Sequence, residues 1–210
     1  MRRFTAQTPT RTLSPMNAPV ADSLPPSDEV LMLSWTNGNN RAFDGRAFEM
    51  LYGRHRLRLY RFLLRQLREP ALADDLFQDV WQRVIAARGS WTPDAAFTTW
   101  LFRIAHNRLA DHWRALQYRP PAPVDGDERL ASIPDPDTPE RTLSQSEQRR
   151  LLQLALDGLP GEQREVVLLR LEQELTLEQI GEITGVSRET VKSRLRYAMD
   201  KLRSGLNPTQ

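Results

Sequence analysis

Proline divides this chain before any other residue type constrains it. Of fifteen prolines in 210 residues, five fall in residues 1–30 and six in residues 120–139. Proline lacks a backbone N–H and clashes with the preceding turn, so neither stretch can sit inside a helix. The two long proline-poor blocks carry apolar residues at helical spacing, and no segment shows a convincing strand-like alternation. The expectation is an all-α protein of two small helical domains, residues 31–117 and 143–206. A flexible, acidic, Pro-rich linker at 118–142 joins them, and a disordered tail at 1–30, rich in Pro, Ser and Thr, precedes them. Met16 is a second candidate start beside Met1.

Composition removes several function classes. The chain has no cysteine, which excludes disulfides, thiolate zinc sites and cysteine nucleophiles. Its three histidines are His55, His106 and His112, and the last two are rotated far apart on any helix that carries both. No apolar run approaches the ~20 residues of a membrane span, and the first 30 residues have arginines but no apolar signal core. A cytoplasmic protein with no cofactor, no metal, no small-molecule substrate and no membrane insertion is expected. No phosphate-binding glycine loop or nucleophile–base pair suggests an enzyme.

Net charge is only +2, but charge is sorted along the chain. Residues 41–69 hold eight arginines against three acids, and residues 186–203 hold six cations against two acids. Residues 120–147 reverse the sign, with seven acids against two arginines. Basic ends separated by an acidic connector fit a nucleic-acid-binding chain.

The segment TLEQIGEITGVSRETVKSRLRYAMDKLR, residues 176–203, reads as a helix–turn–helix. Thr176 can cap the first helix with Gln179 as its capping-box partner. Gly185 suits the left-handed residue that ends that helix, and Ser187 can cap the next. On the second helix Val191, Leu195, Ala198 and Leu202 form one narrow stripe. Glu189, Lys192, Ser193, Arg196 and Asp200 fall opposite it. A helix anchored by one stripe and offering short polar and basic side chains from its first turns suits the DNA major groove.

In the first block, Phe48, Leu51, Tyr52, Leu59, Phe62, Leu63 and Leu67 make a helical stripe that Pro70 stops. ADDLFQDVWQRVIAAR follows, with Leu76, Phe77, Val80, Trp81 and Val84 on one face and Asp75, Gln78, Asp79 and Gln82 on the other. After the loop SWTPDAA, the helix FTTWLFRIAHNRLADHWRA mixes Phe97, Trp100 and Trp113 with Arg103, His106, Arg108, His112 and Arg114. Basic residues interleaved with aromatics suit single-stranded nucleic acid, because bases stack on rings while arginines follow phosphates. Trp100, beside Leu101 and Ile104, suits core packing at least as well, whereas Trp91, in the loop, is expected to be exposed.

Taken together, these segments resemble the extracytoplasmic-function group of sigma-70-type RNA polymerase sigma factors. ADDLFQDVWQR looks like the family's polymerase-binding helix and FTTWLFRIAHNRLADHWR like its helix for the −10 element. LPGEQREVVLLRLEQELTLEQIGEITGVSRETVKSRL is similar to its C-terminal −35 domain. The resemblance implies a transcription initiation factor that binds core RNA polymerase and promoter DNA, with an anti-sigma factor as a possible further partner. It assigns Asp75, Gln78, Asp79 and Gln82 to the polymerase. Trp91, Phe97, Thr98, Thr99, Arg103, Asn107 and Arg108 are assigned to the opened −10 DNA. Glu178, Arg188, Thr190, Lys192, Ser193, Arg196 and Tyr197 are assigned to the −35 duplex. Tyr197 stands where many relatives carry arginine, so the phosphate contact there departs from the family. The alternative is a stand-alone helix-turn-helix regulator, which explains residues 176–203 but leaves the acidic-polar and Trp-rich helices without a role.

Overall fold

The computed structural model describes residues 25–37, 41–117 and 143–206. The expected linker and residues 1–24 of the expected tail lie outside these. Eight α-helices follow in order: α1 (Asp28–Asn37), α2 (Arg41–Leu67), α3 (Pro70–Ala87), α4 (Phe97–Gln117), α5 (Leu143–Asp157), α6 (Gly161–Leu171), α7 (Leu177–Thr184) and α8 (Arg188–Leu206). A short 3₁₀ turn, Arg88–Ser90, leaves α3. Among the described residues there is no strand, as expected of an all-α chain.

Pro70 works at both ends of one turn. Helix α2 stops at Leu67, Arg68 takes a left-handed φ of 63°, and Pro70 opens α3 at its first helical position, where its missing N–H costs nothing. The α2 stripe is buried at Leu51, Leu59, Phe62 and Leu63. It packs with Leu76, Val80 and Val84 of α3 and Phe97, Leu101 and Phe102 of α4 in one apolar core. Each such side chain contributes about 1.5–3 kcal/mol by leaving water. Trp81 meets Phe48 and Tyr52 edge-on, and Phe62 meets Phe102 in the same way. Helix α1 starts at Asp28, inside the stretch expected to be tail. The reason is a part-buried anchor: Asp28 accepts a hydrogen bond from Arg54 at 2.7 Å and pairs with Nε2 of buried His55 at 2.6 Å. The His55 hydrogen bond, with Arg54, outweighs burial and holds the Asp28 carboxyl below its ordinary value.

Helices α5 to α8 form the second group, around Leu156, Val166, Leu169, Ile180, Ile183, Val191, Ala198 and Leu202. The two groups were expected to be coupled only through the linker. Instead α4 packs on α7, and the end of α2 packs on α6. Arg164 of α6 carries this contact. Its guanidinium donates to the carbonyls of Arg65 and Gln66, in the last turn of α2, at 3.4 and 3.3 Å. The same side chain donates to Leu156 O at 3.2 Å and Leu159 O at 3.0 Å, where α5 ends. The last carbonyls of a helix have no partner within it and carry the negative end of its dipole. One cation therefore satisfies two helix ends at once.

Around it lie Arg65–Glu172, Arg68–Asp157 and, from α4 to α6, His106–Glu165. The Glu165 hydrogen bond raises the His106 pKa above its ordinary 6.5, against burial and the Arg194 guanidinium. A raised folded pKa gives stability that is complete below 6.5 and is lost as pH climbs through the raised value. The thermal midpoint should therefore fall as pH rises across that window. His106→Gln should flatten that part of the profile, measured against wild type by circular dichroism.

Candidate nucleic-acid interface

The α7–α8 unit is built as its local chemistry dictates. Thr176 Oγ1 accepts from Gln179 N at 3.2 Å, and Thr176 N donates to Gln179 Oε1 at 2.9 Å, closing the capping box. Gly185 ends α7 at φ 69°, the left-handed position. Ser187 Oγ accepts from Thr190 N at 3.2 Å and caps α8. The turn brings Val186 O close over Gly181: a Cβ at Gly181 would lie 2.8 Å from that oxygen. Val191, Ala198 and Leu202 are buried and Leu195 is half-buried, so the stripe faces the core as its spacing requires.

The opposite face of α8 is open to solvent at Arg188, Thr190, Lys192, Ser193, Arg196 and Tyr197. Arg188 pairs with Glu178 of α7 and, at 3.3 Å, with Glu189, while Lys192 lies 4.0 Å from Glu189. Exposed pairs of this kind contribute ~0–1 kcal/mol, so these cations can exchange carboxylates for phosphates at little cost. The Arg196 guanidinium sits 4.9 Å from the centre of the Tyr197 ring. Tyr197 thus holds its neighbour's cation on an aromatic face instead of supplying one.

On α3, Asp75, Gln78 and Gln82 are exposed. Asp79 is not free: it pairs with Arg83 at 3.5 Å and with Arg108 of α4. Burial raises its carboxyl, but the two guanidiniums prevail and hold it below its ordinary value. Two residues assigned to different partners therefore hold α3 against α4.

The loop and α4 need a larger correction. Trp91 is buried at 6% exposure, because the loop turns its ring onto the core and Nε1 donates to Ala95 O at 3.1 Å. Phe97 is fully buried, edge-on to His55 at 5.1 Å, and Thr99 is buried as well. None of the three offers a surface to DNA in this arrangement. Trp100 is core, Thr98 is half-buried, and Arg103 and Asn107 are exposed. The aromatics of α4 thus point mostly inward, with Trp113 the exposed ring, while Arg103 and Arg114 face solvent and Arg108 turns to α3. An open groove of about 420 Å³ runs between α3 and α4, lined by Arg83, Ala86, Ala87, Ile104 and Asn107.

Sequence reasoning missed Gly181 and Arg164. A glycine inside an eight-residue helix is costly enough to have flagged a close approach. Arg164 reads as an ordinary surface cation, because its partners are backbone carbonyls. Among the described residues no group of His, Asp and Glu could hold a metal, and no helix is long and apolar enough to cross a membrane.

Comparison with known proteins defines the class. Residues 51–119 match the family model for sigma-70 region 2, and residues 155–204 match that for sigma-70 region 4. RNA polymerase sigma factor CarQ of Myxococcus xanthus is 34% identical over 157 residues, covering 75% of this chain and 87% of that protein. ECF RNA polymerase sigma factor SigM of Mycobacterium tuberculosis H37Rv is 34% identical over 176 residues, covering 84% of this chain and 83% of that one. CnrH, solved with the cytosolic domain of CnrY, has a similar fold at a TM-score of 0.62 and 24% identity, covering 87% of this chain and 99% of that chain. RpoE of Bartonella quintana, solved with the anti-sigma factor NepR, aligns at a TM-score of 0.62 and 23% identity, covering 78% and 98%. The chain belongs to the sigma-70 family of RNA polymerase sigma factors, in its extracytoplasmic-function group. It is a transcription initiation factor.

Proposed function

We propose that α1 to α4, residues 28–117, bind core RNA polymerase and the opened −10 DNA, and that residues 143–206 read the −35 duplex. The observation that carries this division is the pairing, in one chain, of a doubly capped helix–turn–helix with a separate polar face on α3. Asp75, Gln78 and Gln82 form the polymerase-docking face, where an exposed carboxylate can meet cations of the partner. Asp79 and Arg108 position α3 against α4. Arg103, Asn107 and Thr98 face the non-template strand, and the groove beside Asn107 has room for an extruded base. Unstacking a base costs a few kcal/mol, so a preformed recess lowers the barrier to opening. On α8, Lys192, Ser193 and Arg196 address the major groove, while Thr190, Arg188 and Glu178 lie toward the backbone. No step makes or breaks a covalent bond, and the chain acts in the cytoplasm. An anti-sigma factor is a proposed regulatory partner.

A stand-alone regulator would leave the α3 face without a partner. Replacing Lys192 by Ala should weaken binding of the polymerase–chain complex to a selected promoter fragment by about 1–3 kcal/mol, with relaxed preference at one −35 position. Band-shift titration across single-base variants of the fragment reads this directly. Equal loss on every sequence would assign Lys192 to phosphate alone.

A further inference from the structure

We propose that Tyr197 is a positioning residue for −35 recognition: its ring holds Arg196 ready to read one guanine, and the ring itself makes no contact with DNA. The cations of α8 are held in two different ways. Arg188, Lys192 and Arg203 lie beside the carboxylates of Glu178, Glu189 and Asp200, and Arg194 pairs with Glu162 of α6. Arg196 has no ion pair and no hydrogen bond among the described residues. Its guanidinium sits instead 4.9 Å from the centre of the Tyr197 ring. That ring is 54% exposed and takes no part in the apolar core, so packing does not account for an aromatic residue there.

The two modes differ in what they leave free for DNA. An ion pair occupies the N–H groups of a cation, which must leave the carboxylate before they can reach a base. A stacked guanidinium uses only its flat face, so its N–H donors, which lie in the plane, stay open at the edge. Those donors are the ones that meet O6 and N7 of guanine as a bidentate pair. Arg196 lies one turn, about 6 Å, along α8 from Lys192, and Ser193 shares the same open face. An arginine side chain free in solvent spreads over many rotamers, and the ring narrows that spread before DNA arrives. An exposed contact of this kind favours the held form by about two- to fivefold. The role assigned to Tyr197 rests on α8 being the −35 reader, and it names the side chain that is preset and the group that presets it.

Band-shift titration of core polymerase with the full-length chain, on a promoter fragment varied one base at a time across the −35 element, tests this. Arg196→Ala should abolish a preference for guanine at one position. Tyr197→Leu, which removes the π face and keeps apolar bulk, should reduce that same preference about two- to fivefold. Tyr197→Phe keeps the ring and should retain the preference in full. In the Arg196→Ala background, Tyr197→Leu should change neither affinity nor preference further, because the ring then has no cation to hold. Both positions are exposed and outside the core, so circular dichroism should show unchanged helical content in every variant. A guanine preference that is absent from wild type, survives Tyr197→Leu, or falls equally in Tyr197→Phe overturns the positioning role. So does a further loss of affinity from Tyr197→Leu when Arg196 is already alanine, which would make Tyr197 a DNA contact. Lys192→Ala, run beside these variants, separates the two assignments. Selectivity in the −35 element that depends on Lys192 and not on Tyr197 leaves α8 as the −35 reader and removes only the role of the ring.

Discussion

A chain carrying Asp75→Arg and Gln78→Ala is expected to lose co-purification with core polymerase while keeping its helical content and melting behaviour. Both side chains are exposed on α3 and neither belongs to the apolar core, so folding does not depend on them. Reversing a charge in a complementary interface removes an attraction and installs a repulsion, together worth about 2–5 kcal/mol. That is roughly a thirtyfold to several-thousandfold loss of affinity. Asp79 is the wrong residue for this experiment, although it lies on the same helix. Its pair with Arg108 ties α3 to α4, while Arg83 holds it from within α3, so its reversal would loosen the domain and confuse folding with docking. Native gel migration with core polymerase separates the outcomes, and undiminished complex formation by the double variant would remove α3 as the docking face.

The second large effect belongs to Gly181. Alanine is ordinarily better than glycine inside a helix by about 1 kcal/mol. At Gly181 that gain is overwhelmed, because the added Cβ would sit 2.8 Å from Val186 O, a backbone atom that cannot swing aside. The turn between α7 and α8 must open, and Gly185, Ser187 and the start of α8 move with it. Gly181→Ala should lose about 2–3 kcal/mol, as overpacked sites do, and lower the thermal midpoint by roughly 5–10 °C. Gly53 is the internal control: it lies in α2 with nothing within 4 Å of a built Cβ. Gly53→Ala should raise stability by ~0.5–1 kcal/mol. Two alanine variants with the same midpoint would mean the turn does not approach Gly181 as closely as described.

The contrast between Gly181 and Trp91 shows what kinds of structure a sequence carries openly. The helix–turn–helix was legible almost residue by residue because its determinants are local. Thr176 with Gln179 and Ser187 with Thr190 are three residues apart, and Gly185 needs only its own backbone. The stripe at Val191, Ala198 and Leu202 follows from helical period alone. Trp91 was misjudged because a tryptophan in a polar loop looks solvent-bound until the loop's path is known. Its burial depends on the Ala95 carbonyl taking the indole N–H. The Asp79–Arg108 pair spans 29 residues and the Arg164 bridge to α2 spans 98, and no periodicity connects such positions. The docking of the two groups was invisible for the same reason. Arg164 meets carbonyls that every residue possesses, so the sequence around Arg65 and Gln66 gives no sign of the contact.

Run-off transcription on a library of genomic fragments, with core polymerase and purified chain added singly and together, tests the central claim most directly. The account predicts discrete transcripts only when both proteins are present. Their start sites should share two upstream motifs at fixed spacing, with Lys192→Ala altering preference only in the distal one. Transcripts from core polymerase that do not depend on the chain, or a chain that binds paired half-sites alone and directs no initiation, would contradict it.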